Sequence, residues 1–220
     1  MESGNAGGLA AGGHCQDRRR YKAIIFDLGR VLIHFDFKRG YRALEDQCPY
    51  PAADIPRRIA TTDLVTRFET GLVESEDFFA QFSRLLDLRV DYPRFREIWS
   101  SIFTDTLLPE SMLAGLERRY RLLLLSNTNA IHFEMVREQY RGLLGHFHDL
   151  ILSYQVKAMK PDPRIFRLAV ERSGCRPEEC FYTDDIPAYT AAAREQGIDA
   201  VTFESAAQIQ REMMARGIEW

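Results

Sequence analysis

The hydrophobic positions of the chain fall into two rhythms. Ala23 to Phe26 is a short, uninterrupted apolar run with β-branched residues, and comparable runs recur at Leu122 to Leu125, near Asp149 to Leu152, at Cys180 to Thr183 and at Ala200 to Phe203. Runs of that length without polar alternation read as strands buried on both faces of a parallel sheet. Between and after them the spacing turns helical: from Pro109 through Leu116, from about Ala130, from Pro163 to Arg172, from Ala188 to Gln196 and from Ser205 onward. Strands alternating with helices in this way predict an α/β fold, a Rossmann-like doubly wound parallel sheet with right-handed crossovers.

One segment breaks the rhythm. From about Asp36 to Asp105 the apolar positions follow helical spacing, with Phe78, Phe79, Phe82, Leu85 and Leu86 on a single stripe. Glu74-Ser-Glu-Asp77 offers a capping residue and first-turn acids ahead of that stripe, and prolines at 49, 51 and 93 divide the segment into several short helices. The division predicted is therefore a core of residues 21–35 and 106–220 with a helical insertion, residues 36–105, after the first strand. Trp99 and Phe103 belong with the insertion's own small apolar core.

Composition adds bounds. A charge of -3, from 29 basic and 32 acidic residues, builds no field for nucleic acid or an anionic membrane surface. No apolar run approaches the ~20 residues of a membrane span. Cys15, Cys48, Cys175 and Cys180 form no CxxC pair, which suits a reducing compartment, and the cytoplasm is the expectation. Residues 1–20 are Gly/Ala-rich and end in Arg18-Arg-Arg20, the reverse order of a signal peptide, and read as a flexible tail in which His14 and Cys15 take no role.

Polar residues then mark the ends of four strands. Asp27 follows the first, Ser126-Asn-Thr-Asn129 the second, Lys157-Ala-Met-Lys-Pro-Asp162 comes after the third, and Asp184-Asp185 closes the fourth. In a parallel sheet these all emerge at one edge, the edge where ligands bind. Phosphoryl transfer needs a nucleophile, a cation beside it, donors for the phosphoryl oxygens and acids for magnesium. Asp27 can be the nucleophile, Ser126 and the Asn127 backbone N–H can hold an anion, Lys160 offers a compact positive charge, and Asp184 and Asp185 with Asp27 would suit Mg²⁺. Each also has a structural reading: Asp27 as a turn residue, Ser126 or Asn129 as a helix cap, Lys160 as a solvated lysine, Asp162 and Asp184-Asp185 as helix entries. His146 and His148, between a helix and a strand, read as loop or partly buried residues, and His132 receives no metal role.

In this order the motifs Phe26-Asp-Leu-Gly29, Leu125-Ser-Asn-Thr128, Met159-Lys-Pro-Asp162 and Tyr182-Thr-Asp-Asp185 resemble those of the haloacid dehalogenase-like (HAD) hydrolases, from about Tyr21 to the C-terminus. The likeness is to the subfamily whose helical cap follows strand one, and within it to the sugar-1-phosphate phosphatase and epoxide hydrolase N-terminal phosphatase branch. It implies that Asp27 forms an aspartyl-phosphate, that Ser126 and Lys160 bind the phosphoryl group, and that Asp185, with Asp184 beside it, Asp27 and the Gly29 backbone carbonyl hold Mg²⁺. The cap would select the substrate and exclude water.

One position departs from the family pattern. Phosphatases of this family carry a second Asp two residues after the nucleophile as general acid and base, a contribution of about 10²- to 10⁴-fold; here that position is Gly29, followed by Arg30. Three outcomes follow: a substrate with a good leaving group such as a sugar 1-phosphate, a substitute acid of which His34 and Asp36 are the nearest, or loss of hydrolysis. The resemblance thus implies a Mg²⁺-dependent phosphatase of a small phosphorylated metabolite. The alternatives are a metal-independent 2-haloacid dehalogenase, whose lysine motif is similar but which carries Ser-Asn where this chain has Asp184-Asp185, and a non-catalytic phosphate-binding or scaffold protein.

Overall fold

β1 (Ala23–Phe26) is the centre of the molecule because every one of its residues is buried from both sides. The computed structural model describes residues 20–220. The expectations for the tail, His14 and Cys15 thus lie outside the described residues, apart from Arg20. After β1 come the short β2 (Ile33–Phe35) and five helices, α1 (Phe37–Glu45), α2 (Ile55–Ile59), α3 (Leu64–Glu69), α4 (Ser75–Leu86) and α5 (Tyr92–Ser100). β3 (Phe103–Thr106) then brings the chain back to α6 (Glu110–Glu117), β4 (Arg121–Ser126), α7 (Ala130–Gln139), α8 (Arg141–Leu144), β5 (Asp149–Leu152) and α9 (Ser153–Val156). α10 (Pro163–Ser173), β6 (Cys180–Asp184), α11 (Pro187–Glu195), β7 (Asp199–Thr202) and α12 (Ala206–Ala215) complete it.

The main sheet has the order β5-β4-β1-β6-β7, and all four pairings are parallel. Alternate side chains of β1 serve opposite cores: Ile24 and Phe26 join Leu122, Leu124 and Phe181 on one face, while Ala23 and Ile25 join Leu123, Leu125 and Tyr182 on the other. That two-sided burial is why the strand sequences show no alternation. The chain runs outward through β4 and β5 and then crosses to β6 and β7, so β1 lies at the switch point, where a crevice opens beyond the strand ends.

The insertion closes around its own aromatic cluster. Phe78 and Phe82 of α4 meet Phe95 and Trp99 of α5, with the Phe82 and Trp99 ring centroids 4.9 Å apart. Ile131 of α7 joins the same cluster, so the insertion leans on the sheet domain. α4 begins differently from the sequence expectation: Glu74 is its N-cap without a side-chain bond, Ser75 is already helical, and Glu76 and Asp77 supply first-turn acids. The stretch read as wholly helical also ends in a strand, since Phe103–Thr106 pairs antiparallel with β2, Ile33 facing Thr106 and Phe35 facing Phe103. Such short strands carry no measurable period and form because the partner strand is adjacent. No helix among the described residues is long and apolar enough to cross a membrane.

Candidate functional site

The four strand-end groups converge at the switch point. Asp27 follows β1 directly, its N–H extending the ladder to the Thr183 carbonyl at 3.0 Å. Ser126 and Asp184 are the last residues of β4 and β6, and Lys160 lies in the connection between α9 and α10. Lys160 is 2% exposed, which overturns the surface reading of this lysine. Its Nζ donates to Asp27 Oδ1 at 2.7 Å, to Asp184 Oδ2 at 2.5 Å and to the Leu125 carbonyl at 3.1 Å, using all three ammonium hydrogens. Asp184 also accepts from the Tyr182 hydroxyl and, through Oδ1, from the Ile186 N–H at 2.8 Å.

Carboxylate oxygens of Asp27, Asp184 and Asp185 lie within 4.8 Å of one another. Burial pushes the Asp27 carboxyl up to about 7, and the Asp184 carboxylate adds to this against the pull of the Lys160 ammonium. Burial works against the charge on Lys160, but the two carboxylates outweigh it and leave its pKa raised. Asp185, half-buried, is raised by burial and by Asp184, with Arg30 drawing it down. Asp27 and Asp184 thus share one buried ammonium while Asp185 stands beside them within 3.9 Å of Arg30, and the surplus negative charge must be met by a proton or a cation. An all-oxygen donor set of this kind fits Mg²⁺.

The Asn127 side chain holds the lysine loop. Its Oδ1 accepts the Lys160 N–H at 2.8 Å and its Nδ2 donates to the Lys160 carbonyl at 2.9 Å, a paired clamp on the backbone of one residue. The sequence expectation for Asn127 covers only its backbone N–H, not this side chain. Asn129, not Ser126, caps α7, accepting the His132 N–H, so Ser126 is left at the strand end with its buried hydroxyl 3.5 Å from the Asn127 carbonyl. Asp162 is the N-cap of α10, as the helix-entry reading held.

Above Asp27 the chain makes a tight turn in which Arg30 donates its N–H to Ile33 at 2.7 Å and takes a left-handed φ of 58°. The Arg30 guanidinium lies over the Phe35 ring and 3.9 Å from Asp185. Phe35 in turn covers Gly29: a Cβ there would meet Phe35 Cε1 at 2.5 Å. Neither substitute acid named from the sequence is free. His34 is exposed and bonded to Thr104 Oγ1 at 2.9 Å, and the Asp36 carboxylate caps α1 through the Lys38 N–H.

A cavity of about 60 Å³, partly open to solvent, lies between sheet and insertion. Gly29, Ser126 and Thr128 of the sheet side line it together with Phe35, Phe103 and Glu69 of α3. Glu69 and Phe35 carry no motif that marks them in the sequence.

A family model for haloacid dehalogenase-like hydrolases matches residues 21–197. The chain belongs to this family of hydrolases. This HAD-like chain is 32% identical to a phosphoserine phosphatase from Thermus thermophilus over 206 residues, 84% of this chain and 82% of the relative. It is 25% identical to a D-ribitol-5-phosphate phosphatase from Bacteroides thetaiotaomicron over 201 residues, covering 87% of this chain and 96% of the relative. Among solved structures, a HAD family enzyme from Bacteroides thetaiotaomicron in complex with magnesium and inorganic phosphate superposes with a TM-score of 0.75 at 28% identity, over 84% of this chain and 95% of the other. A 2-haloacid dehalogenase from Pseudomonas syringae shares the fold alone, at a TM-score of 0.64 and 19% identity over 90% of this chain and 99% of the other.

Proposed function

We propose that this HAD-like hydrolase is a Mg²⁺-dependent phosphatase of a small phosphorylated metabolite of sugar-phosphate size, acting through an aspartyl-phosphate on Asp27. The observation that carries the reading is the Lys160 ammonium shared between Asp27 and Asp184 at the switch point, with Asp185 alongside. The relatives' activities on ribitol 5-phosphate and phosphoserine support the substrate class. In this reading an Asp27 oxygen attacks phosphorus, Lys160 offsets charge beside it, and the Ser126 hydroxyl donates to a phosphoryl oxygen. Asp184 keeps Lys160 aimed at Asp27. Asp27, Asp184, Asp185 and the Gly29 carbonyl would hold Mg²⁺, which would supply positive charge to draw the anionic phosphate onto an anionic nucleophile.

The insertion, residues 36–105, acts as the cap that closes over the substrate, with residues 21–35 and 106–220 as the catalytic core. The free thiols of Cys48, Cys175 and Cys180 support a reducing, cytoplasmic setting.

A phosphometabolite panel with Mg²⁺ and with chelator tests the reading. Phosphate release stops on chelation, whereas a 2-haloacid dehalogenase would survive it. Asp27→Asn abolishes release, because an amide cannot attack phosphorus, and leaves the circular dichroism spectrum unchanged. Turnover by that variant would remove the mechanism.

A further inference from the structure

The mechanism leaves one proton without an owner, since the leaving oxygen needs an acid and Gly29 has none to give. His34 and Asp36 are committed elsewhere. The one carboxylic acid among the residues lining the cavity that Gly29 and Ser126 also line is Glu69, the last residue of α3. We propose that Glu69 donates the proton to the leaving oxygen and afterwards accepts one from water, a role that rests on the phosphatase reading above.

The first support is that Glu69 has a side chain free for work. It makes no hydrogen bond or ion pair with any of the described residues, and desolvation is the one influence on its titration. Burial pushes its pKa up to about 7, so the carboxyl keeps its proton near neutrality, where an ordinary glutamate is ionised. Glu69 is half-buried, and a desolvated carboxyl without a partner is costly; sites that keep one are enriched in acid–base function.

The second support is that its backbone is tied to the loop that follows Ser126. The buried Ser153 hydroxyl accepts the Thr128 N–H at 2.9 Å and donates to the Glu69 carbonyl at 2.6 Å, so one oxygen joins β4's exit loop to the end of α3. Two residues on, Gly71 takes φ +68° and packs so closely on the Tyr154 carbonyl that a Cβ would overlap it. Thr70 Oγ1 also lies 3.4 Å from the sulfur of Met159, beside Lys160 in sequence. Glu69 is thus positioned from the catalytic side, although it belongs to the insertion.

The steps balance. An Asp27 oxygen forms a bond to phosphorus as the phosphorus–oxygen bond to the leaving group breaks; that electron pair stays on the leaving oxygen, which takes the Glu69 proton and departs as an alcohol. Water then gives a proton to the Glu69 carboxylate while its oxygen bonds phosphorus, and the electron pair of the Asp27–phosphorus bond returns to the Asp27 carboxylate. The sum is ester plus water giving alcohol plus phosphate, with Glu69 reprotonated.

The experiment compares wild type, Glu69→Gln, Glu69→Asp and Asp27→Asn, all full-length with Mg²⁺, on p-nitrophenyl phosphate and on the best alkyl phosphate of the panel. Nitrophenolate leaves without protonation, whereas an alkoxide does not. For Glu69→Gln, kcat/KM on the alkyl ester falls about 100-fold or more and on the aryl ester by less than about 3-fold. The aryl ester also gives a burst of nitrophenol in this variant, as aspartyl-phosphate waits for water. Glu69→Asp recovers part of the alkyl activity. Equal losses on the two esters, or a raised KM with kcat unchanged, overturns the proposal and makes Glu69 a substrate-binding group. A wild type that cleaves only the aryl ester overturns it too. Turnover by Asp27→Asn, or no phosphate release by wild type, sinks the underlying phosphatase reading and the proposal with it, and is distinguishable because it does not depend on residue 69.

Discussion

At the scale of single residues, Gly29 and Phe35 form one unit. Restoring an acid with Gly29→Asp places a Cβ 2.5 Å from Phe35 Cε1, and Phe35 is itself hemmed by Phe37, Phe103 and the Arg30 guanidinium. The substitution therefore costs about 1–3 kcal/mol as overpacking, measurable by urea unfolding, and adding Phe35→Ala in the same chain recovers most of it. The doubly substituted enzyme carries a carboxyl at residue 29, and introducing Glu69→Gln into it leaves alkyl-phosphate cleavage above that of Glu69→Gln alone. No gain on that background would mean that residue 29 cannot reach the leaving oxygen. Asp27, Lys160, Asp184 and Asp185 were legible in the sequence because each sits at the end of a strand or just beyond it, where position along the chain fixes position in space. Glu69 and Phe35 were not, since their nearness to Gly29 depends on how the insertion docks. Nor was the Asn127 clamp, a side chain bonding both backbone groups of a residue 33 positions away.

Among the elements, the turn after α3 carries the greatest demand. Gly71→Ala combines a left-handed φ with overlap of the Tyr154 carbonyl and costs at least about 1 kcal/mol. If that turn sets Glu69 in place, the variant loses more kcat/KM on alkyl than on aryl phosphates while remaining folded at 25 °C. A proportional loss on both would separate the turn's structural role from Glu69's chemistry. The five strands of the main sheet were readable as bare apolar runs, because burial on both faces removes alternation and leaves only length and β-branching as signals. β2 and β3 were not readable: three and four residues hold no period, and their pairing joins segments some 70 positions apart. The aromatic stripe of α4 was visible because α4 spans three turns, Ser75 to Leu86.

For the whole molecule, the joint between insertion and sheet domain contains a buried titratable group. His132 of α7 stacks on Trp99, donates from Nε2 to the Trp99 carbonyl at 3.0 Å and accepts at Nδ1 from Asn129 Nδ2 at 3.1 Å, with Phe103 edge-on. Burial pulls its pKa down to about 4 from an ordinary 6.5, with the Trp99 bond opposing. The unfolded chain therefore takes up this proton first, so His132 lowers stability as pH falls from about 6.5 to about 4, by up to about 3 kcal/mol. Urea unfolding at pH 7 and pH 4.5 should show His132→Gln losing less stability between the two than wild type, and an equal loss would mean the histidine titrates normally. The antiparallel pairing of β2 with β3 has a consequence for this architecture. Because the chain leaves the sheet domain on one strand and re-enters on its neighbour, the ends of the insertion stand about 5 Å apart whatever lies between them. To the sheet domain the whole insertion costs only about 2–3 kcal/mol more in closure entropy than a short hairpin loop, since that entropy grows with the logarithm of loop length. Helices can be lengthened, lost or exchanged beyond that pair while β1 and Asp27 stay where they are.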